Sequence, residues 1–166
     1  ELIMPSLFRH FLALMTVIAV LVPAHAAGDP PARVGRLSLV DGNVTYYGSQ
    51  QDAGGPALVN WPISSGAVVD TERGARAEVW IGSTAYRLGS DSQAEFATVD
   101  DRSVDLLLHG GTLAVTIRDR DQADDLAVMT PAGQVRFSGT GRYRLEVAPD
   151  RTIIAAQSGA AEIFAN

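Results

Sequence analysis

His109 is the one histidine beyond residue 26, so any imidazole chemistry in the body of the chain rests on it. A Ser-His-Asp hydrolase would use it as general base, but no Gly-x-Ser-x-Gly elbow presents a nucleophile. His109 stands before Gly110-Gly111, where a strand is expected to end in a turn. A surface histidine at a turn accounts for it without chemistry. A single imidazole in a chain with no cysteine supplies too few ligands for a catalytic zinc.

Carboxylates are more plentiful. Asp119, Asp121, Asp124 and Asp125 crowd one segment, and oxygen ligands suit calcium. The segment lacks the turn glycine and the distal glutamate of an EF-hand loop, and Arg118 and Arg120 would repel a cation, so it reads as a solvated hairpin loop. Glu78, Glu95, Asp105 and Glu146 could be paired for glycoside hydrolysis, but each falls on the polar face of an expected strand, where carboxylates keep a sheet soluble. Gly139-Thr140-Gly141 lacks the third glycine and the following helix of a dinucleotide loop and reads as a bulge or turn. Asn43-Val44-Thr45 fits a glycosylation sequon, which matters only in a eukaryotic secretory pathway. The expectation is a protein that is not an enzyme, with no catalytic residue, no cofactor and no metal.

Arginines offer binding chemistry. Arg142, Arg144 and Glu146 alternate with Tyr143, Leu145 and Val147, so one face of that strand is charged and the other apolar. Arg76, Glu78 and Trp80 alternate in the same way with Ala77, Val79 and Ile81. Cross-strand ion pairing explains such faces without a ligand. Guanidinium forks also fit carboxylates and phosphates, and Arg76, Trp80, Arg142 and Arg144 form the candidate interaction surface.

The elements that must position these residues follow from turn chemistry and alternation. Strands are expected at 34–40 and 43–47 around Asp41-Gly42, a hairpin signal, with a loop over 49–56 and a short strand at 58–61 that Pro62 ends or places at an edge. The run from Ile63 to Gly89 is punctuated by Gly66, Gly74, Gly82 and Gly89; in it 75–81 has period two and 84–88 returns after Gly82-Ser83. Further strands are expected at 94–99, 104–108, 112–117, 126–130, 134–137, 143–147, 152–156 and 160–164, and no window of the mature sequence sustains a helical apolar period. The fold class is all-β: a jelly-roll-like two-sheet β-sandwich of about ten to twelve short strands.

The N-terminus reads differently. Glu1-Leu2-Ile3 precede Met4, the expected initiator; Arg9 and His10 are polar, residues 11–22 are apolar except Thr16, and Ala24-His25-Ala26 fits a cleavage site. Twelve helical residues reach about 18 Å, short of the roughly 30 Å hydrocarbon core, so a secretory signal peptide is expected rather than an anchor. The division is 1–26 for upstream residues and signal peptide, 27–33 for a linker, and 34–166 for the domain. The mature chain is expected to be periplasmic or secreted, with no stable membrane span, and to continue beyond Asn166 in a larger parent. Loss of residues 1–26 removes one arginine and one glutamate, so the net charge stays at −6. That charge repels the phosphate backbone of nucleic acid, and none is expected as a partner. All 13 basic residues are arginine, and without cysteine stability must come from burial alone.

Ser65-Gly66, Val69-Asp70-Thr71, residues 73–79, Ile81-Gly82-Ser83 with Arg87-Leu88, residues 106–113 around Gly110-Gly111, Thr130-Pro131 before Val135, residues 141–144, and residues 158–162 occur in an order that resembles the FecR-type domain, named for a periplasmic regulator of ferric citrate uptake. The resemblance spans about residues 34–164 and implies an all-β, jelly-roll-like domain with no known enzymatic activity. Signalling members sit in the periplasm behind a cytoplasmic anti-sigma segment and one transmembrane helix, and relay the occupancy of an outer-membrane transporter. With a signal-peptide n-region before its apolar stretch, this chain is similar to a second group, exported bacterial proteins that carry such a domain after a signal peptide. The expected function is a non-enzymatic envelope interaction or sensory, signal-relay module whose partner is an envelope protein or a glycan. The alternative is a carbohydrate-binding or polysaccharide-active jelly-roll domain with Trp61, Trp80 or Tyr86 as stacking platforms.

Overall fold

The computed structural model describes residues 33–165, so the expected signal peptide and nearly all of the linker lie outside the described residues. The described residues form one compact unit. Among the described residues the strands are β1 (Gly35–Asp41), β2 (Val44–Tyr47), β3 (Gly55–Pro56), β4 (Pro62–Ile63), β5 (Ala67–Thr71), β6 (Arg76–Ile81) and β7 (Thr84–Leu88). They continue with β8 (Ser92–Val99), β9 (Val104–Ile117), β10 (Leu126–Thr130), β11 (Gly133–Phe137), β12 (Gly141–Ala148), β13 (Arg151–Ser158) and β14 (Ala161–Phe164), and one helical turn, α1 (Arg120–Asp124), precedes β10. The all-β expectation holds, with the two-residue strands β3 and β4 and the five-residue β5 as additions to the expected strands.

Two layers share one strand. The first sheet runs β4-β1-β6-β7-β9-β12-β13 and the second β3-β2-β5-β8-β9-β10-β11-β14. Residues 104–110 of β9 lie in the second sheet, antiparallel to β8 and parallel to β10. Residues 111–117 lie in the first sheet, between β7 and β12. The two strands expected on either side of Gly110-Gly111 are therefore one bent strand, not a pair joined by a turn. Gly111 has φ +83°, and a Cβ there would run into the Asp91 carbonyl and Ser92. A side chain would obstruct the corner that glycine permits.

Other connections also cross between layers. Asp41-Gly42 does not close a hairpin, because β1 pairs with β4 and β6 while β2 pairs with β3 and β5. It is a corner, with Gly42 at φ +79° and its α-carbon packed where a Cβ would meet Ala75. The aspartate-rich segment is not a hairpin loop either. Asp119 caps α1 by accepting the Asp121 N–H at 2.9 Å, and the segment crosses from β9 in the first sheet to β10 in the second, since a parallel β9–β10 pair requires a crossover. Gln122 of α1 accepts from Ser83 N at 3.1 Å and Thr84 Oγ1 at 2.9 Å, and Asp125 pairs with Arg33 at 3.0 Å, which fixes the crossover to the sheets. Residues 58–61 form a turn instead of a strand, with Asn60 at φ +72°, and Pro62 lies within the edge strand β4. Gly82-Ser83 does close the β6–β7 hairpin, where Ile81 faces Thr84.

Alternation fills the space between the layers. Val79 and Ile81, Tyr86 and Leu88, Leu113 and Val115, and Tyr143 and Leu145 point inward from the first sheet; Val69, Phe96, Leu106, Leu108, Val128 and Val135 do so from the second. At roughly 1.5–3 kcal/mol for each fully buried large apolar side chain, this core is the main stabilising term in a chain without disulfides.

Candidate functional site

The outer face of the first sheet is polar, and its register decides which side chains meet. Trp80 on β6 faces Ala85 on β7, Ala85 faces Thr116 on β9, and Thr116 faces Arg142 on β12. In the adjacent row Glu78 faces Arg87, Arg87 faces Ala114, and Ala114 faces Arg144. Because β9 presents only alanine and threonine here, the long side chains of β7 and β12 rise on either side of it. They enclose a groove of about 360 Å³ lined by Arg87, Arg118, Arg142 and Arg144, with Gln157 at its β13 side.

One carboxylate organises the β6 side. Glu78 Oε1 accepts from Trp80 Nε1 at 2.6 Å and Ser38 Oγ at 2.9 Å, while Oε2 pairs with Arg87 Nε at 2.6 Å. Arg87 also donates to Thr116 Oγ1 at 3.1 Å. Burial pushes the Glu78 carboxyl up, but the bonds from Trp80 and Ser38 and the charge of Arg87 outweigh it and hold the group below its ordinary value. The Arg118 guanidinium lies 4.9 Å from the Trp80 ring centre, a cation–π contact that holds this arginine over the indole. Arg142 and Arg144 are exposed, and among the described residues neither has a carboxylate within ion-pairing distance. Four guanidiniums thus converge on one side of a domain whose net charge is −6, and two of them keep their forked donors free.

Of the four residues marked by sequence, the structure brings Arg142 and Arg144 together, with Trp80 beside them through Arg118. Arg76 lies on the same face but outside the groove, paired with Asp41 at 2.5 Å. Arg87 and Arg118 complete the groove and were not marked. Their signal is parity: Ala114 and Thr116 share one face of β9, Arg118 one residue past its end continues their spacing, and Arg87 is the outward charge of β7. Which strand sits between β7 and β12 is not visible in that parity.

A second polar surface lies on the outer face of the second sheet. Tyr47, Gln50, Val68, Gln93, Glu95 and His109 line a groove of about 300 Å³. Gln93 Nε2 donates to Asp70 Oδ2 at 2.9 Å, and His109 Nε2 lies 3.1 Å from Glu95 Oε2. Glu95 is 7% exposed although it points away from the core, because this cluster covers it. The neighbouring Ser92 hydroxyl bonds only to backbone, donating to Thr112 O at 3.2 Å and accepting from Thr112 N at 2.8 Å, so it is not presented to His109 as a nucleophile. Glu78 and Glu146 share the outer face of the first sheet with β7 and β9 between their strands, and Glu95 and Asp105 belong to the second sheet. Among the described residues no three His, Asp or Glu side chains are placed to hold a metal ion, and no helix is long and apolar enough to cross a membrane.

The aromatic platforms divide. Tyr86 is 1% exposed and packs edge-on against Phe96 between the layers, so the expectation that it stacks on a ligand is overturned: its position on β7 faces inward. Trp61 and Trp80 are half-buried, the former edge-on to Tyr46 with ring centres 5.2 Å apart. The chain matches no protein-family model, no curated protein and no solved structure.

Proposed function

We propose that this chain is a non-enzymatic, exported FecR-like domain that serves as an interaction or sensory module of the bacterial envelope, with the outer face of the first sheet as its contact surface. The observation that carries this reading is the pair Arg142 and Arg144, exposed and, among the described residues, without carboxylate partners in a groove already lined by Arg87 and Arg118. Native surfaces ordinarily intersperse opposite charges, and an unbalanced cationic groove on an acidic domain favours an anionic partner. The partner is an envelope protein or glycan that presents carboxylates. The test is titration of the purified protein with polygalacturonate oligomers and with neutral dextran. Salt-sensitive binding of the acidic oligomer alone, abolished in Arg142→Ala/Arg144→Ala, supports the reading; equal binding by the double variant refutes this surface.

The groove on the second sheet favours a second reading, a carbohydrate-binding domain for neutral sugars. Tyr47 offers a half-exposed ring beside planar polar groups of Gln93, Glu95 and His109, the combination that stacks on a pyranose and bonds its hydroxyls. Binding of neutral chito- or cello-oligosaccharides that Tyr47→Ala removes and Arg142→Ala/Arg144→Ala leaves intact would favour this reading over the first.

A further inference from the structure

The four terminal strands of the two layers are not alike. β3 and β4 are two residues long and contain Pro56 and Pro62, and β14 has four residues with Glu162 among them. Short length, proline and charge are the devices by which sheets avoid pairing with other chains. β13 has none of them beyond its first residue, Arg151. It runs for eight residues, and among the described residues it pairs with β12 alone. Residues 152–157, Thr-Ile-Ile-Ala-Ala-Gln, contain no charge, no proline and no glycine. The ladder with β12 is regular from Arg151 to Ala156, with its one irregularity beyond that point. Ile153 is 46% exposed, and Ala155 and Ala156 are exposed as well.

We propose that β13 is the site at which a second copy of this chain pairs, antiparallel and about a two-fold axis, extending the first sheet through both copies. The strand's neutrality selects this occupant. Self-pairing places each residue opposite one from the same strand, so a charge at its middle would oppose itself; residues 152–157 carry none, and Arg151 at the strand's start falls opposite Gln157. An axis at Ile154 sets Ile153 against Ala155 on the outer face and Thr152 against Ala156 on the inner one, while the two Arg151 side chains lie at opposite ends. The pairing covers Ile153 and gives the outward N–H and C=O groups of β13 partners. Arg142 and Arg144 do not oppose it: the two β12 strands would stand three strand spacings apart, about 14 Å, beyond the roughly 8 Å screening length at physiological salt.

The experiment is sedimentation velocity on the protein purified from a host expressing the full chain, over a wide concentration range. A species of twice the protomer mass is expected. Ile153→Lys/Ala155→Lys places like charges across the axis and is expected to sediment as a monomer with unchanged circular dichroism and melting temperature, as both side chains are exposed. Ile153→Glu/Ala155→Glu is expected to be monomeric too, and mixing the two variants is expected to restore the dimer. A wild type that remains monomeric at hundreds of micromolar overturns the proposal, whether solvent or another part of the chain occupies the edge. A dimer that persists in both charge variants overturns it as well, since another face would then hold the copies.

Discussion

The Glu78 carboxylate accepts the Trp80 indole N–H at 2.6 Å, joining two side chains that lie two residues apart on the outward face of β6. The same carboxylate takes Arg87 from the next strand, and Trp80 in turn carries Arg118. A single acidic residue therefore holds one arginine of the groove, Arg87, directly and a second, Arg118, through the Trp80 ring.

Acid should loosen this arrangement. The folded-state pKa of Glu78 lies below its ordinary value of 4.5, so the group contributes stability that is fully present above that value and is lost as pH falls through the folded pKa. Glu78→Gln removes the titration, and its acid-unfolding curve, followed by indole fluorescence, should be flatter below about pH 4.5 than that of the wild type.

Arg142→Ala and Arg144→Ala should leave stability within about 0.5 kcal/mol of wild type, because both side chains are exposed and form no ion pair among the described residues. Each should weaken binding of polygalacturonate by about tenfold, which corresponds to roughly 1.4 kcal/mol. Arg76→Ala, which removes only an exposed pair with Asp41, should leave that affinity unchanged. Calorimetric titration of the three variants checks the ranking.

Gly111→Ala should destabilise the domain by on the order of 3 kcal/mol, combining the strain of φ +83° with the collision of the new methyl group against Asp91 and Ser92. Gly110→Ala meets open space at a Cβ and should cost far less. Urea midpoints of the two variants give the comparison.

Phe96→Ala and Phe164→Ala should differ widely although the residue type is the same. Phe96 is fully buried against Tyr86, with ring centres 5.8 Å apart, and its loss should cost about 3–5 kcal/mol. Phe164 is 53% exposed on β14, and its loss should stay within about 1 kcal/mol. Thermal unfolding of both variants checks this.

The strand pattern was legible because its cause is local. Residues 75–81 alternate, and Val79 and Ile81 are buried while Arg76 is exposed, as period two requires. The same local reading placed the β6–β7 turn at Gly82-Ser83 correctly. It went astray at Asp41-Gly42 and Gly110-Gly111, where glycine serves a corner between layers and not a reversal within one. A positive φ suits both uses, and only the partner strands distinguish them. The aspartates before β10 misled for a similar reason: a polar segment suits a hairpin loop as well as a crossover, and the parallel pairing of β10 with β9 decides between them.

For the candidate site, sequence alone determined that this is an acidic, cysteine-free β domain and that Arg142, Arg144, Arg76 and Trp80 stand on polar strand faces, because side-chain direction alternates along any strand. Tertiary structure alone decided which of those faces adjoin. It seated β9, with Ala114 and Thr116, between Arg87 and the two arginines of β12, left Arg76 to Asp41, and turned Tyr86 into the core. Strand order is set by the competition of all apolar faces for one shared interior, and no local stretch of sequence contains that competition.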